Sequence, residues 1–212
     1  MFEGGLMENY VRRFATGLAV VGWTVLLLQF YLTTTGQMAE GHGFWWGVVL
    51  YFGYFTLTTT ALCALVATAF AVPSSMAARW AWWRQPWLVT CAMASIVVVG
   101  SVYFLLLRHQ YHPEGLQWVV DRFLHYLIPP AFVVFWWRAV PHGNLNWVHL
   151  PPMMGYPSAY FGYLLVRGEV TGAYPYFFID VSRLGYAQVL ANAVGFSLLF
   201  LVLAALAIRT KR

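Results

Sequence analysis

The hydrophobic positions along this chain run in long unbroken stretches rather than alternating with polar ones. A helix rises about 1.5 Å per residue, so about 20 mostly apolar residues cross a hydrocarbon core roughly 30 Å thick. Six stretches meet that length, at 14–33, 44–72, 86–107, 117–139, 147–167 and 186–208. Barrel strands would alternate over about ten residues, so the continuous runs predict α-helices. The expected fold class is an all-α integral membrane protein, one domain over 1–212 with six transmembrane helices in a single bundle. The fourth and fifth stretches are the least uniformly apolar. They carry Asp121, Arg122, His125 and the Pro129-Pro130 pair, then His149, Pro151, Pro152 and Pro157.

Composition leads to the same class. Of the 212 residues 61% are apolar and 9% charged, against roughly 25% charged in a soluble domain. The solvent for most of such a surface is lipid, and the 11 Trp and 13 Tyr are the amphipathic rings that gather at its interfaces. A net charge of +5 would point to an acidic partner in a soluble protein. Here the basic residues stand singly or in pairs between apolar runs, which argues against nucleic acid. Cys63 and Cys91 lie inside apolar runs and read as small buried hydrophobes. Arg12 and Arg13 ahead of the first stretch resemble a signal peptide, but the run is long for one and no small-residue cleavage site follows, so it is taken as the first span.

Lys and Arg concentrate on the cytoplasmic side of membrane proteins. One side of the expected bundle holds Arg12, Arg13, Arg79, Arg84, Arg138, Arg209, Lys211 and Arg212; the other holds Arg108, Arg167 and Arg183. Both termini are therefore expected in the cytoplasm. The connection at 168–185 contains Tyr174-Pro175-Tyr176-Phe177-Phe178, too aromatic for a plain solvated loop, and is expected across the outer mouth.

An ionisable group inside a span costs roughly +2.5 to +3.5 kcal/mol on insertion scales and often marks a site. Asp121 and His125 are four apart, which puts them on one helix face. A carboxylate one turn from an imidazole holds its tautomer and raises its basicity, as a general base requires. A polar helix start at the outer interface is the competing account of Asp121 and Arg122. In the second stretch Thr56, Thr58, Thr59 and Thr60 compete between hydroxyl back-bonding to a carbonyl one turn earlier and chemistry. Depth separates Thr56: entering from outside near residue 44 it lies about 18 Å down, and His125, entering near 117, lies about 12 Å down. Tyr156 and Tyr160, again four apart, reach the same outer half, where a phenol either packs or polarises a carbonyl. Arg167 and Asp180 border the aromatic loop, where an ion pair or a head-group contact is the plain expectation. His109 and His112 lack a Cys or carboxylate at ligand spacing, so no metal and no other cofactor is expected.

Several segments resemble a family of prokaryotic six-span membrane proteins: Tyr54-Phe55-Thr56, His125 with Pro129, Tyr156-Pro157 with Tyr160, Arg167-Gly168, and Tyr174-Pro175-Tyr176-Phe177 through Asp180-Val181. Gly185-Tyr186 and Asn192 fit the same pattern, and the likeness runs from about residue 50 to 195. More distantly, the chain is similar to the androgen-induced (FAR-17a/AIG-like) membrane proteins. Those are threonine hydrolases of fatty acid esters of hydroxy fatty acids. The resemblance implies Thr56 as nucleophile and His125 as base. Asp121, Tyr156, Tyr160, Arg167, Tyr174 and Asp180 fall to supporting or substrate-binding roles. It also implies membrane lipid as substrate and a bacterial inner membrane location. Phe177 stands where a second Pro is common in the prokaryotic relatives. A non-catalytic lipid-binding or transport protein is the alternative.

Overall fold

In lipid every backbone N–H and C=O must find its partner within the protein, and apolar runs meet that demand as helices. The structure, a computed structural model, describes residues 2–110 and 112–212, and among them no strand occurs. Its α-helices are α1 (Phe2–Ala39), α2 (Phe44–Phe52), α3 (Phe55–Ala71), α4 (Pro86–Val102), α5 (Gly115–Arg122), α6 (Ile128–Ala139), α7 (Leu150–Thr171) and α8 (Val181–Lys211). Short 3₁₀ turns at Ser74–Arg84, Trp147–His149 and Phe177–Ile179 connect them, and one π turn, Tyr103–Leu107, extends α4. A second, Phe123–Leu127, fuses α5 to α6.

Four segments are long and apolar enough to cross a membrane: Glu8–Ala39, Pro86–Leu107, Gly115–Ala139 and Val181–Lys211. Helices α2 and α3 pass the same test together, as a fifth, broken segment bent by 73°. These features mark a helical membrane protein. The stretch expected at 147–167 forms α7, 22 residues long, but its Pro, Gly and Tyr residues dilute its apolar content and it is not among the spans.

Helix α4 is the axis of the bundle. Its Val89, Ile96 and Val99 are buried together with Phe132 and Phe135 of α6 and Phe200 of α8. Large apolar side chains also cover the outside, among them Leu27, Val170, Val194 and Leu206, as a surface solvated by hydrocarbon requires.

Two departures from regular helix shape the interior. The first is the break at Gly53-Tyr54, where Tyr54 is extended (φ −91°, ψ 123°). It strands polar backbone groups in mid-bundle, and three side chains answer them. Arg167 Nε donates to the Val49 carbonyl at 3.2 Å, the Tyr160 hydroxyl to the Gly53 carbonyl at 2.7 Å, and the Phe55 amide donates to the Tyr176 hydroxyl at 2.9 Å. A Cβ on Gly53 would lie 2.8 Å from Arg167 Cζ, so a side chain here would push the guanidinium from its place.

The second departure is the pair of π turns. The Arg108 amide bonds to the Tyr103 carbonyl at 2.9 Å, and the Ile128 amide to the Phe123 carbonyl, each five residues back. Pro129 has no N–H for the His125 carbonyl four residues before it, which favours the wider turn. The two turns face each other, with the Tyr103 and His125 rings stacked at 3.8 Å between centroids.

Candidate active site

The break carries Thr56 into the bundle as the second residue of α3, and the π turn aims His125 at it. Thr56 Oγ1 lies 3.4 Å from His125 Nε2. On the other side of the ring, Nδ1 lies 3.0 Å from Asp121 Oδ1 and 3.2 Å from the Asp121 carbonyl. Two acceptors at Nδ1 hold the proton there, which leaves Nε2 to accept from the threonine. Asp121 is 2% exposed, and its second oxygen accepts from the Tyr103 hydroxyl at 2.7 Å. Each oxygen of a buried carboxylate is thus partnered, the condition under which such a group is tolerated. Hydroxyl, imidazole and carboxylate stand in the order of an activated-nucleophile relay. The Thr56 to His125 separation is long for a hydrogen bond, as is common before substrate binds.

Among the four threonines of the run only Thr56 reaches an imidazole. Thr58 bonds back to the Tyr54 and Phe55 carbonyls, and Thr59 takes the Tyr156 hydroxyl at 2.9 Å. Thr60 Oγ1 is buried and has no partner among the described residues.

Thr56 sits on the wall between two cavities. One, about 210 Å³, opens among α3, α4, α7 and α8 and is lined by apolar side chains including Val98, Val99, Leu164, Phe196 and Phe200. The other, about 520 Å³, lies toward α1 and α5 and is lined by Gln29, Gln117, Asp121 and His125 among others. Thr56, Tyr103 and Tyr176 border both; His125 borders only the second. Tyr176 comes from the loop between α7 and α8, whose Pro175 and Phe177 also line the second cavity. That loop therefore covers the site.

The remaining residues singled out in the sequence divide. Tyr160 lines the apolar cavity, but its hydroxyl is committed to the Gly53 carbonyl. Tyr156 bonds to Thr58 and Thr59 and lines neither cavity. Arg167, 6% exposed, bonds the Val49 and Ala173 carbonyls and serves the helix break. Tyr174 packs over Gly168 and its hydroxyl donates to Glu169 at 3.3 Å. Asp180 accepts from the Ser182 hydroxyl as α8 begins. Arg167 and Asp180 form no ion pair; among the described residues the one ion pair is His125 with Asp121. Arg122 is exposed and lies over the Trp118 and Tyr126 rings, so it parts from its neighbour Asp121, which is buried.

Two site residues were not picked out by sequence reasoning. Tyr103 is one ring in the apolar run of α4. Its signal is depth: it lies four residues from the outer end of its stretch, level with Asp121 four residues into the next. Tyr176 stands in the Tyr-Pro-Tyr-Phe segment, and its hydroxyl accepts from the Phe55 amide, next in the chain to Thr56. Compared with known proteins, the chain matches no family model, no curated protein and no solved structure.

Proposed function

We propose that this protein is an intramembrane threonine hydrolase of lipid esters, with Thr56 as nucleophile, His125 as general base and Asp121 orienting the imidazole. The observation that carries the reading is the continuous Thr56–His125–Asp121 chain at the junction of an apolar and a polar cavity. Fatty acid esters of hydroxy fatty acids, which the family resemblance implies, belong to this substrate class. A protein that only held lipid would have no use for a buried carboxylate–imidazole pair aimed at a hydroxyl.

In the first half-reaction Thr56 Oγ1 attacks the ester carbonyl carbon while its proton passes to His125 Nε2. The negative charge developing on the carbonyl oxygen needs donors. The Thr56 amide, which has no backbone acceptor among the described residues, and the Tyr176 hydroxyl flank that point at the N-terminal, positive end of α3. Collapse breaks the ester C–O bond, and His125 returns the proton to the departing alcohol. Water then attacks the acyl-threonine, its proton moves through His125 to Thr56, and the fatty acid leaves.

In this reading the chain spans the membrane six times, α7 being the fifth crossing in chain order, with both termini in the cytoplasm and the site in the outer half of a bacterial inner membrane. The test is hydrolysis of lipid esters by purified wild type, Thr56→Ala and His125→Ala, with a fluorophosphonate probe run alongside. Loss of cleavage and of labelling in Thr56→Ala is expected; labelling that persists there rejects Thr56 as nucleophile.

A further inference from the structure

The two cavities that meet at Thr56 differ in chemistry, and the position of His125 decides which half of an ester each receives. The imidazole must hand its proton to the oxygen that leaves, so the alcohol half lies on the side where the imidazole is exposed. His125 borders the polar cavity and not the apolar one. The acyl chain consequently fills the pocket among Val98, Val99 and Phe200, and the alcohol enters the polar chamber.

That chamber is lined by four amides, Gln29, Gln37, Gln110 and Gln117, and by two carboxylates, Glu40 and Asp121, with no Lys or Arg among its lining residues. Gln29 and Gln117 exchange a reciprocal pair of hydrogen bonds, 3.3 and 2.8 Å, across α1 and α5, and Gln29 also donates to Thr33 at 3.0 Å. One N–H of Gln117 and a lone pair on each amide oxygen stay open. A hydroxyl, which both donates and accepts, can join this network without orphaning a group. A carboxylate only accepts; it leaves the chamber's acceptors unanswered and finds no counter-charge there. From Gln29 to Glu40 the chamber follows α1 for about 16 Å, so an acid group at the far end of a hydroxy fatty acid would arrive beside Glu40, where like charges repel.

We infer that the alcohol half of the substrate is neutral and hydroxylated, of the glycerol class, and that esters whose alcohol half carries a carboxylate are disfavoured. This inference rests on the hydrolase reading. The experiment compares two esters of one fatty acid in nanodiscs containing the full chain, a monoacylglycerol and an ester of a hydroxy fatty acid. The glycerol ester is expected to be cleaved with a kcat/KM at least about tenfold higher, a difference of about 1.4 kcal/mol. Glu40→Lys, on an exposed residue, is expected to raise the acid-bearing ester relative to the glycerol ester. Gln29→Leu with Gln117→Leu is expected to lower the ratio in favour of glycerol. Equal or faster cleavage of the acid-bearing ester by wild type, or a ratio untouched by these variants, overturns the inference. Should neither ester be cleaved in a Thr56-dependent way, the hydrolase reading falls. Binding to Thr56→Ala then decides the selectivity separately: tighter binding of an alkylglycerol ether than of a matched alkyl carboxylate upholds it, and the reverse order overturns it.

Discussion

The Tyr103 hydroxyl donates to Asp121 Oδ2 at 2.7 Å while the ring of the same tyrosine lies flat against His125. One residue thus holds two members of the proposed relay, the carboxylate by a hydrogen bond and the imidazole by stacking. Tyr103→Phe separates the two functions, because it keeps the ring and removes the donor. The orphaned oxygen of a buried carboxylate costs about 1–3 kcal/mol. A lowered melting temperature and a kcat reduced by about tenfold or more with little change in KM are expected. An unchanged kcat would show that Asp121 needs no second anchor.

Asp121→Asn tests the carboxylate itself. The amide is nearly isosteric, but its NH₂ group can face Nδ1 and drive the proton to Nε2, where it blocks acceptance from Thr56. Loss of the orienting carboxylate lowers kcat by about 10⁴-fold in the serine-protease relay, and a fall of about 10²–10⁴-fold is expected here. Single-turnover hydrolysis, with Thr58→Ala as the control that keeps the relay intact, reads the result.

The juxtaposition of Thr56, His125 and Asp121 is legible in the sequence because ionisable groups are rare in spans and helical spacing is regular. Asp121 and His125 met as their four-residue interval required, and depth brought Thr56 to His125. The supporting structure was hidden by backbone irregularity. The stretch at 44–72 read as one helix, though it is longer than the about 20 residues a crossing needs; the break at Gly53 uses the surplus. Without the break, Arg167 reads as an ion-pair or head-group contact and Tyr160 as a ring that packs or polarises a carbonyl. With it, their partners are stranded carbonyls. Hydrophobic periodicity does not encode a π turn, so the face on which Tyr103 and His125 meet was not readable either.

Gly53 and Arg167 are expected to be coupled. The Cβ of Gly53→Ala would lie 2.8 Å from the guanidinium carbon, closer than real contacts allow, so the arginine must shift from the Val49 and Ala173 carbonyls. Removing the arginine removes the clash but orphans those carbonyls. A double-mutant cycle in detergent, read by thermal unfolding, is expected to show Gly53→Ala costing less in the Arg167→Ala background, with a coupling of about 0.5–3 kcal/mol. Additive losses would mean that the side chain does not stand against the break.

The apolar cavity makes a prediction about acyl chain length. Ala193 of α8 lines it beside Phe196 and Phe200, and it is half-buried, so a larger ring there can project into the cavity without crossing a packed core. Ala193→Phe removes a substantial part of a space of about 210 Å³ and leaves Thr56, His125 and the polar chamber untouched. A buried methylene is worth about 0.8 kcal/mol, so each carbon denied entry costs a long acyl chain several-fold in kcat/KM. A palmitoyl ester should lose at least about tenfold while a butyryl ester of the same alcohol holds its rate, because a short chain needs only the space nearest Thr56. Equal losses for both chains would place the acyl group outside this cavity and reverse the assignment of the two chambers.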